Sequence, residues 1–438
     1  MRKTLAGIVV LGMLLVTALT AANAFALAKP SATAAPAVSA DADTPLQNAE
    51  WTIIVYLDAD NSLQAAGFGD LLEMEAVGSV GGVNVIVLMD TLDAIEETHW
   101  YFIGQGETHI DLAAGLNDCD CAKIADGCPG ELNMGDPATL TYCLDTAAAY
   151  APAKNYMVDL WDHGGGWWGV CYDESSILLS GSTDRLIMDE VQNGIEESSV
   201  DLSIIGYDAC FMGMVEIAYE NRDLADYMVA SITTVPGPGW DYTAWLNGIQ
   251  ATDKSALAIS KVIVDTYVDF YSICSGVGLG GFPYTSMGVF DLSKVGDLVL
   301  GVKNDLGGID DIAEALIPLT EDHSLRGIIE SSESQTPQIQ FHGEAFPFTD
   351  IGWYMTLLAE KYPDLADIAT RTFDLLDATV VYFDYVTPDA DMCLRSYGMS
   401  IYYTISGDKL YDNYRTSGLD MVVDTDWDEF LWALNMAN

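Results

Sequence analysis

The chain has 438 residues, half of them hydrophobic and a tenth aromatic, which excludes a disordered acidic chain and suits two domains or one large domain with an appendage. Against 17 Lys and Arg stand 66 Asp and Glu, a net charge of −49. Repulsion of that size excludes nucleic acid and anionic membranes as partners and reads as a solvated acidic shell, suited to a salty medium, with dedicated cation binding the lesser reading.

Arg2 and Lys3 precede an apolar run from Leu5 to about Ala21, and small residues follow at Ala22, Ala24, Ala26 and Ala28. Charged start, apolar middle and small end describe a signal peptide over residues 1–28, with an uncleaved membrane anchor as the alternative. Residues 29–48 are rich in Ala, Pro, Ser and Asp and read as a linker.

Trp51–Leu57 and Val83–Met89 are short, nearly continuous apolar runs, the pattern of strands buried on both faces, and Leu63–Val77 between them has helical spacing. The alternation repeats with helices over Leu140–Tyr150 and Asp189–Glu197 and strands over Tyr156–Trp161 and Leu202–Tyr207. Helices alternating with apolar strands predict a mostly parallel central sheet flanked by helices, an α/β fold whose ligands sit beyond the carboxyl ends of its strands. After Pro283 the pattern predicts strands at Thr285–Leu292 and Tyr397–Thr404 and helices around Asp297–Leu316, Thr349–Glu360, Leu365–Val380, Lys409–Thr416 and Trp427–Leu434. Residues 49–284 thus form one domain and 285–438 a smaller C-terminal domain or extension.

Two of the predicted strands run into chemistry. LWDHGGGWWG carries His163 followed by three glycines, and IIGYDACFMG carries Cys210. Alone, each has an ordinary reading, a hydrogen-bonded surface histidine and a core cysteine; together, at consecutive strand ends, they are the base and nucleophile of a cysteine hydrolase. Asp162 precedes His163, but strand alternation turns its side chain to the opposite face. Asp208 shares a side with Cys210; it is either a specificity acid or the cap of a helix starting at Phe211.

Eight cysteines are present, and with Cys210 as nucleophile the remaining seven cannot all pair. Cys119, Cys121, Cys128 and Cys143 cluster in sequence, which favours two local disulfides over a zinc module; Cys171, Cys274 and Cys393 default to free buried thiols.

The blocks WTIIVYLDADNSL (51–63), ELNMGDPATL (131–140), LWDHGGGW (160–167), GYDACFMGMVEIAYE (206–220), PGPGWDY (236–242) and GMSIYY (398–403) resemble the clostripain-like cysteine peptidases, which share their fold with caspases and gingipains. The resemblance spans most of the chain after the linker. It implies a caspase-like fold and an exported endopeptidase, secreted or in the cell envelope and a monomer, that takes protein or peptide substrates. Cys210 would be the nucleophile and His163 the general base and acid, with the N–H groups of Gly164 and Cys210 forming the oxyanion hole. Asp208 would line an S1 pocket for Arg, less surely Lys. Where relatives carry an acid in the PGxGW loop this chain has Pro238, so a second S1 carboxylate is missing unless Asp241 replaces it. The resemblance also implies self-processing between the two blocks, where Arg185 is the one basic residue. No cofactor is required for the chemistry. Calcium dependence occurs in the family, yet no EF-hand loop is present, and YLDADNSL is suggestive in composition alone. A catalytically silent surface or binding protein retaining the fold is the alternative function, and the N-terminal anchor the one route to a membrane.

Overall fold

The computed structural model describes residues 44–436 apart from 93–97, 107–108, 112–114, 117–118, 126, 178–181, 277–284, 304–305, 321–339, 342–343, 346, 387–395 and 405–412. The signal run and most of the linker lie outside the described residues, and so does Cys393. Among the described residues no helix is long and apolar enough to cross a membrane.

The main elements, in chain order, begin β1 (Ala49–Ala59), α1 (Gln64–Val77), β2 (Val83–Thr91), β3 (His99–Phe102), α2 (Pro137–Tyr150), β4 (Ala153–Trp161), β5 (Val170–Ile177), β6 (Thr183–Leu186), α3 (Met188–Glu196) and β7 (Leu202–Asp208). They continue α4 (Val215–Glu220), β8 (Tyr227–Ala230), α5 (Tyr242–Gly248), α6 (Ala256–Gly276), β9 (Thr285–Asp291), α7 (Leu292–Leu300) and α8 (Ile309–Leu316). The last are β10 (Phe348–Asp350), α9 (Ile351–Lys361), α10 (Ala366–Thr379), β11 (Val380–Val386), β12 (Ser400–Tyr402) and α11 (Trp427–Met436). The fold is α/β with a mostly parallel central sheet flanked by helices, and the chain clusters into two compact units, residues 1–209 with 235–282, and 210–234 with 283–438.

In the first unit the strand order is β7-β4-β1-β2-β3. The pairs β1–β2, β1–β4 and β4–β7 are parallel, and β3 closes the edge antiparallel to β2. Ile53, Ile54, Val55, Ile86 and Val87 are completely buried, as expected of a sheet covered on both faces. Register pairs Val55 with Asp159 and Trp161 with Asp208, so β4 and β7 end level with one another. The Pro137–Tyr150 helix starts where its sequence dictates: Asp136 accepts from the Ala138 N–H at 2.9 Å and Pro137 takes the first turn, where no N–H is needed.

The second unit pairs β8 with β9 and β9 with β11, both antiparallel, and β10 with β12. Under these lies a buried carboxyl, Glu216 of α4, which accepts from the Tyr402 N–H at 2.8 Å and the Tyr414 hydroxyl at 3.1 Å. The predicted strand Tyr397–Thr404 is shorter than its apolar run, Ser400–Tyr402, because β10, its partner, is itself three residues long. Of the predicted Lys409–Thr416 helix, residues 409–412 lie outside the described residues and 413–415 are helical.

Candidate active site

Strand β4 ends at Trp161 and delivers His163 into a half-buried position two residues later. Its Nε2 lies 3.1 Å from Oγ of Ser62, which stands in the turn between β1 and α1. Burial pushes the imidazole pKa down to about 4, so near neutral pH the ring is uncharged and able to accept a proton. Asp162 binds the neighbouring segments instead of the ring. It accepts from the Asn61 side-chain amide at 2.6 Å and from the Tyr172 N–H, the opposite face that strand alternation predicts.

Asp208, last residue of β7, is 3 % exposed and belongs to a buried acidic group. Its Oδ2 accepts from the Trp240 N–H at 2.8 Å and lies 3.3 Å from the Tyr242 hydroxyl, which bonds Asp159 at 2.6 Å. Its Oδ1 is buried with no hydrogen-bond partner. Burial, then the charges of Asp159 and Asp70, push its pKa well up, and burial raises Asp159 to about 7. No Lys or Arg among the described residues pairs with Asp159 or Asp208. Gly239 is what lets the PGPGW loop close over this group: at φ +58° its backbone is left-handed, and a Cβ there would stand 2.6 Å from Asp208 Oδ2. The Tyr271 hydroxyl of α6 fixes the same loop through the Gly239 carbonyl at 2.9 Å.

Cys210, 9 % exposed, sits in the turn between β7 and α4. The next residue, Phe211, adopts φ +65°, a left-handed conformation that costs a β-carbon about 1–2 kcal/mol. It is held there by the Phe211 N–H bonding the Thr233 carbonyl at 2.9 Å, the Gly213 N–H bonding Ser231 at 2.7 Å, and its ring lying 5.7 Å from that of Phe348. The helix predicted to start at Phe211 starts at Val215, with Met214 as its cap residue, so Asp208 is no helix cap. The backbone must turn sharply at Cys210 before a helix can begin.

Gly164 opens a tight loop and bridges to Val170. Arg185 lies on β6, its Nε donating to the Trp168 carbonyl at 2.8 Å and its guanidinium 4.9 Å from the Trp168 ring. Asp241 caps α5, accepting from Ala244 at 2.9 Å, a different task from lining a pocket. Cys119, Cys121, Cys128, Cys143, Cys171 and Cys210 are all thiols. The expected grouping of four is a grouping of three: the thiols of Cys119, Cys121 and Cys128 meet, while Cys143 is completely buried within α2. Cys171 is buried as expected, and Cys274 lies on α6.

Oxygens of Asp60, Asp90 and Glu131 lie within 4.8 Å of one another. Asp60 Oδ1 and Asp90 Oδ2 are buried without a hydrogen-bond partner, and burial raises the two groups to about 7 and about 8. Hard carboxylate donors left unsatisfied in this way fit a cation such as Ca²⁺.

Fold and site together define an α/β protein of caspase-like type in which two parallel neighbours, β4 and β7, run out into a histidine and a cysteine. A family model, Peptidase_C11 (clostripain family), matches residues 55–416, and the chain belongs to this family. It is 30% identical over 233 residues to clostripain of Hathewaya histolytica, a match covering 47% of this chain and 43% of clostripain, so less than half of that relative's length. A secreted C11 cysteine protease from Bacteroides thetaiotaomicron, solved with an irreversible peptide inhibitor, is similar at TM-score 0.60 and 19% identity, covering 86% of this chain and 99% of that one. An inactive zymogen C11 protease from Parabacteroides distasonis is similar at TM-score 0.58 and 18% identity, covering 88% and 99%. At these identities the two structures speak to the fold.

Proposed function

We propose that the protein is an exported cysteine endopeptidase that cleaves after basic residues, Arg before Lys. The observation that carries this reading is the level ending of β4 and β7, with Trp161 opposite Asp208, which sends His163 and Cys210 out of adjacent parallel strands. In the reaction the neutral His163 ring takes the Cys210 thiol proton. The thiolate adds to the scissile carbonyl carbon, and the Gly164 and Cys210 N–H groups bond the oxyanion. On collapse, His163 returns the proton to the leaving amine, and water, activated by the same ring, releases the acid and restores the thiol. Ser62, bonded to Nε2, holds the ring in one orientation.

Basic P1 preference is supported by Asp208. Its unpaired, buried Oδ1 leaves an acceptor that a guanidinium would satisfy, and a charge-assisted pair in a dry pocket discriminates well. Proline at position 238 leaves Asp159 and Asp70 as the neighbouring acids. Comparing the wild type with Cys210→Ala on reporter peptides ending in Arg, Lys, Asp and Leu tests the reading. Turnover of the Arg peptide by the wild type alone supports it; equal rates for the two proteins overturn it.

For self-processing after Arg185 the local structure supplies a barrier. The peptide bond belongs to the β5–β6 hairpin and the side chain is tied to Trp168, so cutting there requires β6 to detach first. Mass spectrometry of active wild type, with Arg185→Ala as control, reads the outcome as a cleaved or an intact chain. Calcium would be held by Asp60, Asp90 and Glu131, where it would neutralise crowded carboxylates and fix the turn from β1 towards Ser62 and His163. One equivalent of bound calcium in the wild type, absent from Asp90→Asn, checks this apart from activity.

A further inference from the structure

We infer that His99, Cys119, Cys121 and Cys128 form a structural zinc site, a Cys₃His centre outside the peptidase machinery. His99 opens β3, Cys119 lies in the returning chain, and Cys121 begins the short helix Cys121–Ile124. The Sγ atoms of Cys119 and Cys128 are 3.2 Å apart, and the ligand atoms of His99, Cys119 and Cys128 all lie within 4.8 Å of one another. Tetrahedral zinc with its usual bond lengths separates its ligand atoms by about 3.5–3.8 Å; the two thiols stand somewhat closer than that and the imidazole within 4.8 Å, so small side-chain shifts bring the three onto one ion. Cys121 is the fourth donor: its thiol neighbours those of Cys128 and Cys119 but stands outside the close group of three, so a bound ion would draw it in.

Two further observations favour a metal over a disulfide. His99 Nδ1 is buried without a hydrogen-bond partner, and a metal bond would satisfy it, which a Cys119–Cys128 bridge would not. Three thiols also meet, and a bridge would strand the third. The Trp100 N–H donates to Cys121 Sγ at 3.3 Å, the sort of N–H to sulfur bond that supports a thiolate ligand from outside the coordination shell. Soft sulfur donors with one imidazole select zinc and pass over calcium and magnesium, which belong with the carboxylates elsewhere on this acidic chain.

Binding is an exchange without redox change: Zn²⁺ forms three bonds to sulfur and one to nitrogen, and the three thiol protons leave to solvent. The product is a closed four-ligand centre with net charge −1 and no open position for substrate, so its role is to pin β3 to the segment carrying Cys119–Cys128.

The test uses the full-length chain, purified reduced and stripped of metal. Added Zn²⁺ is expected to bind at one equivalent per chain, and Co²⁺ in its place to give thiolate-to-cobalt charge-transfer and tetrahedral d–d bands. Cys128→Ser and His99→Gln should each weaken zinc binding by at least about tenfold. Cys143→Ser and Cys210→Ala should bind as the wild type does. Absence of thiolate–cobalt bands in the reduced wild type, a readout independent of any variant's folding, overturns the proposal. So does zinc binding that neither His99→Gln nor Cys128→Ser weakens.

Discussion

The Ser62 hydroxyl oxygen lies 3.1 Å from Nε2 of His163, a contact between residues 101 apart in sequence. It joins the turn after β1 to the residue after β4, so the sheet itself aims the imidazole. Ser62→Ala removes that bond without changing charge. A net hydrogen bond of about 1 kcal/mol predicts a loss of about five- to tenfold in kcat, with KM for an Arg peptide unchanged. Steady-state kinetics check it; a rise in KM at constant kcat would place Ser62 in substrate binding instead.

His163 should set a low acid limb. A general base works in its neutral form, and burial takes this ring from its ordinary 6.5 to about 4. Activity therefore persists as pH falls through 6.5 and is lost nearer 4. The measurement is kcat/KM against pH on a peptide with Leu at P1, which leaves the S1 acids silent.

Asp208 gives the opposite dependence for cationic substrates. Burial holds its carboxyl well above the ordinary carboxylate range, beside an Asp159 raised to about 7, and it binds a guanidinium in its ionised form, so preference for Arg over Leu should grow as pH rises from the acid side. Asp208→Asn should cost about 10- to 100-fold in kcat/KM for Arg, the value of a charged hydrogen bond, with little change for Leu. Equal losses on both substrates would show damage to the site instead of lost selectivity.

Glu216 should make stability depend on pH. Burial raises it from 4.5 to about 7, so the folded chain binds its proton more tightly than the unfolded one. Its stabilisation is complete below 4.5 and disappears as pH rises through about 7, up to about 3 kcal/mol in all. Glu216→Gln should flatten that part of the profile, read as urea midpoints across the interval.

Much of this was legible in the sequence because it is local or periodic. β1 and β2 follow the apolar runs Trp51–Leu57 and Val83–Met89, and α1 and α10 start and stop within two residues of their predicted ends. What escaped depends on distant partners. The β5–β6 hairpin has polar strands, VCYDESSI and TDRL, and irregular register, so it shows no alternation. Nothing in a phenylalanine announces the left-handed turn at Phe211, which the neighbouring Thr233 and Ser231 carbonyls impose. Ser62 shows no role in the sequence because it gains its partner only when β1 and β4 pair. Cys143, near its companions in sequence, is drawn away by the helix it helps to bury.

The most direct measurement is labelling by an electrophilic peptide ending in Arg, followed by mass spectrometry of the modified residue. The account predicts one adduct, on Cys210, absent from Cys210→Ala, slowed in His163→Ala and slowed again when Asp208 becomes Asn. A folded wild type left unlabelled at Cys210, or labelled equally fast without His163, would contradict it.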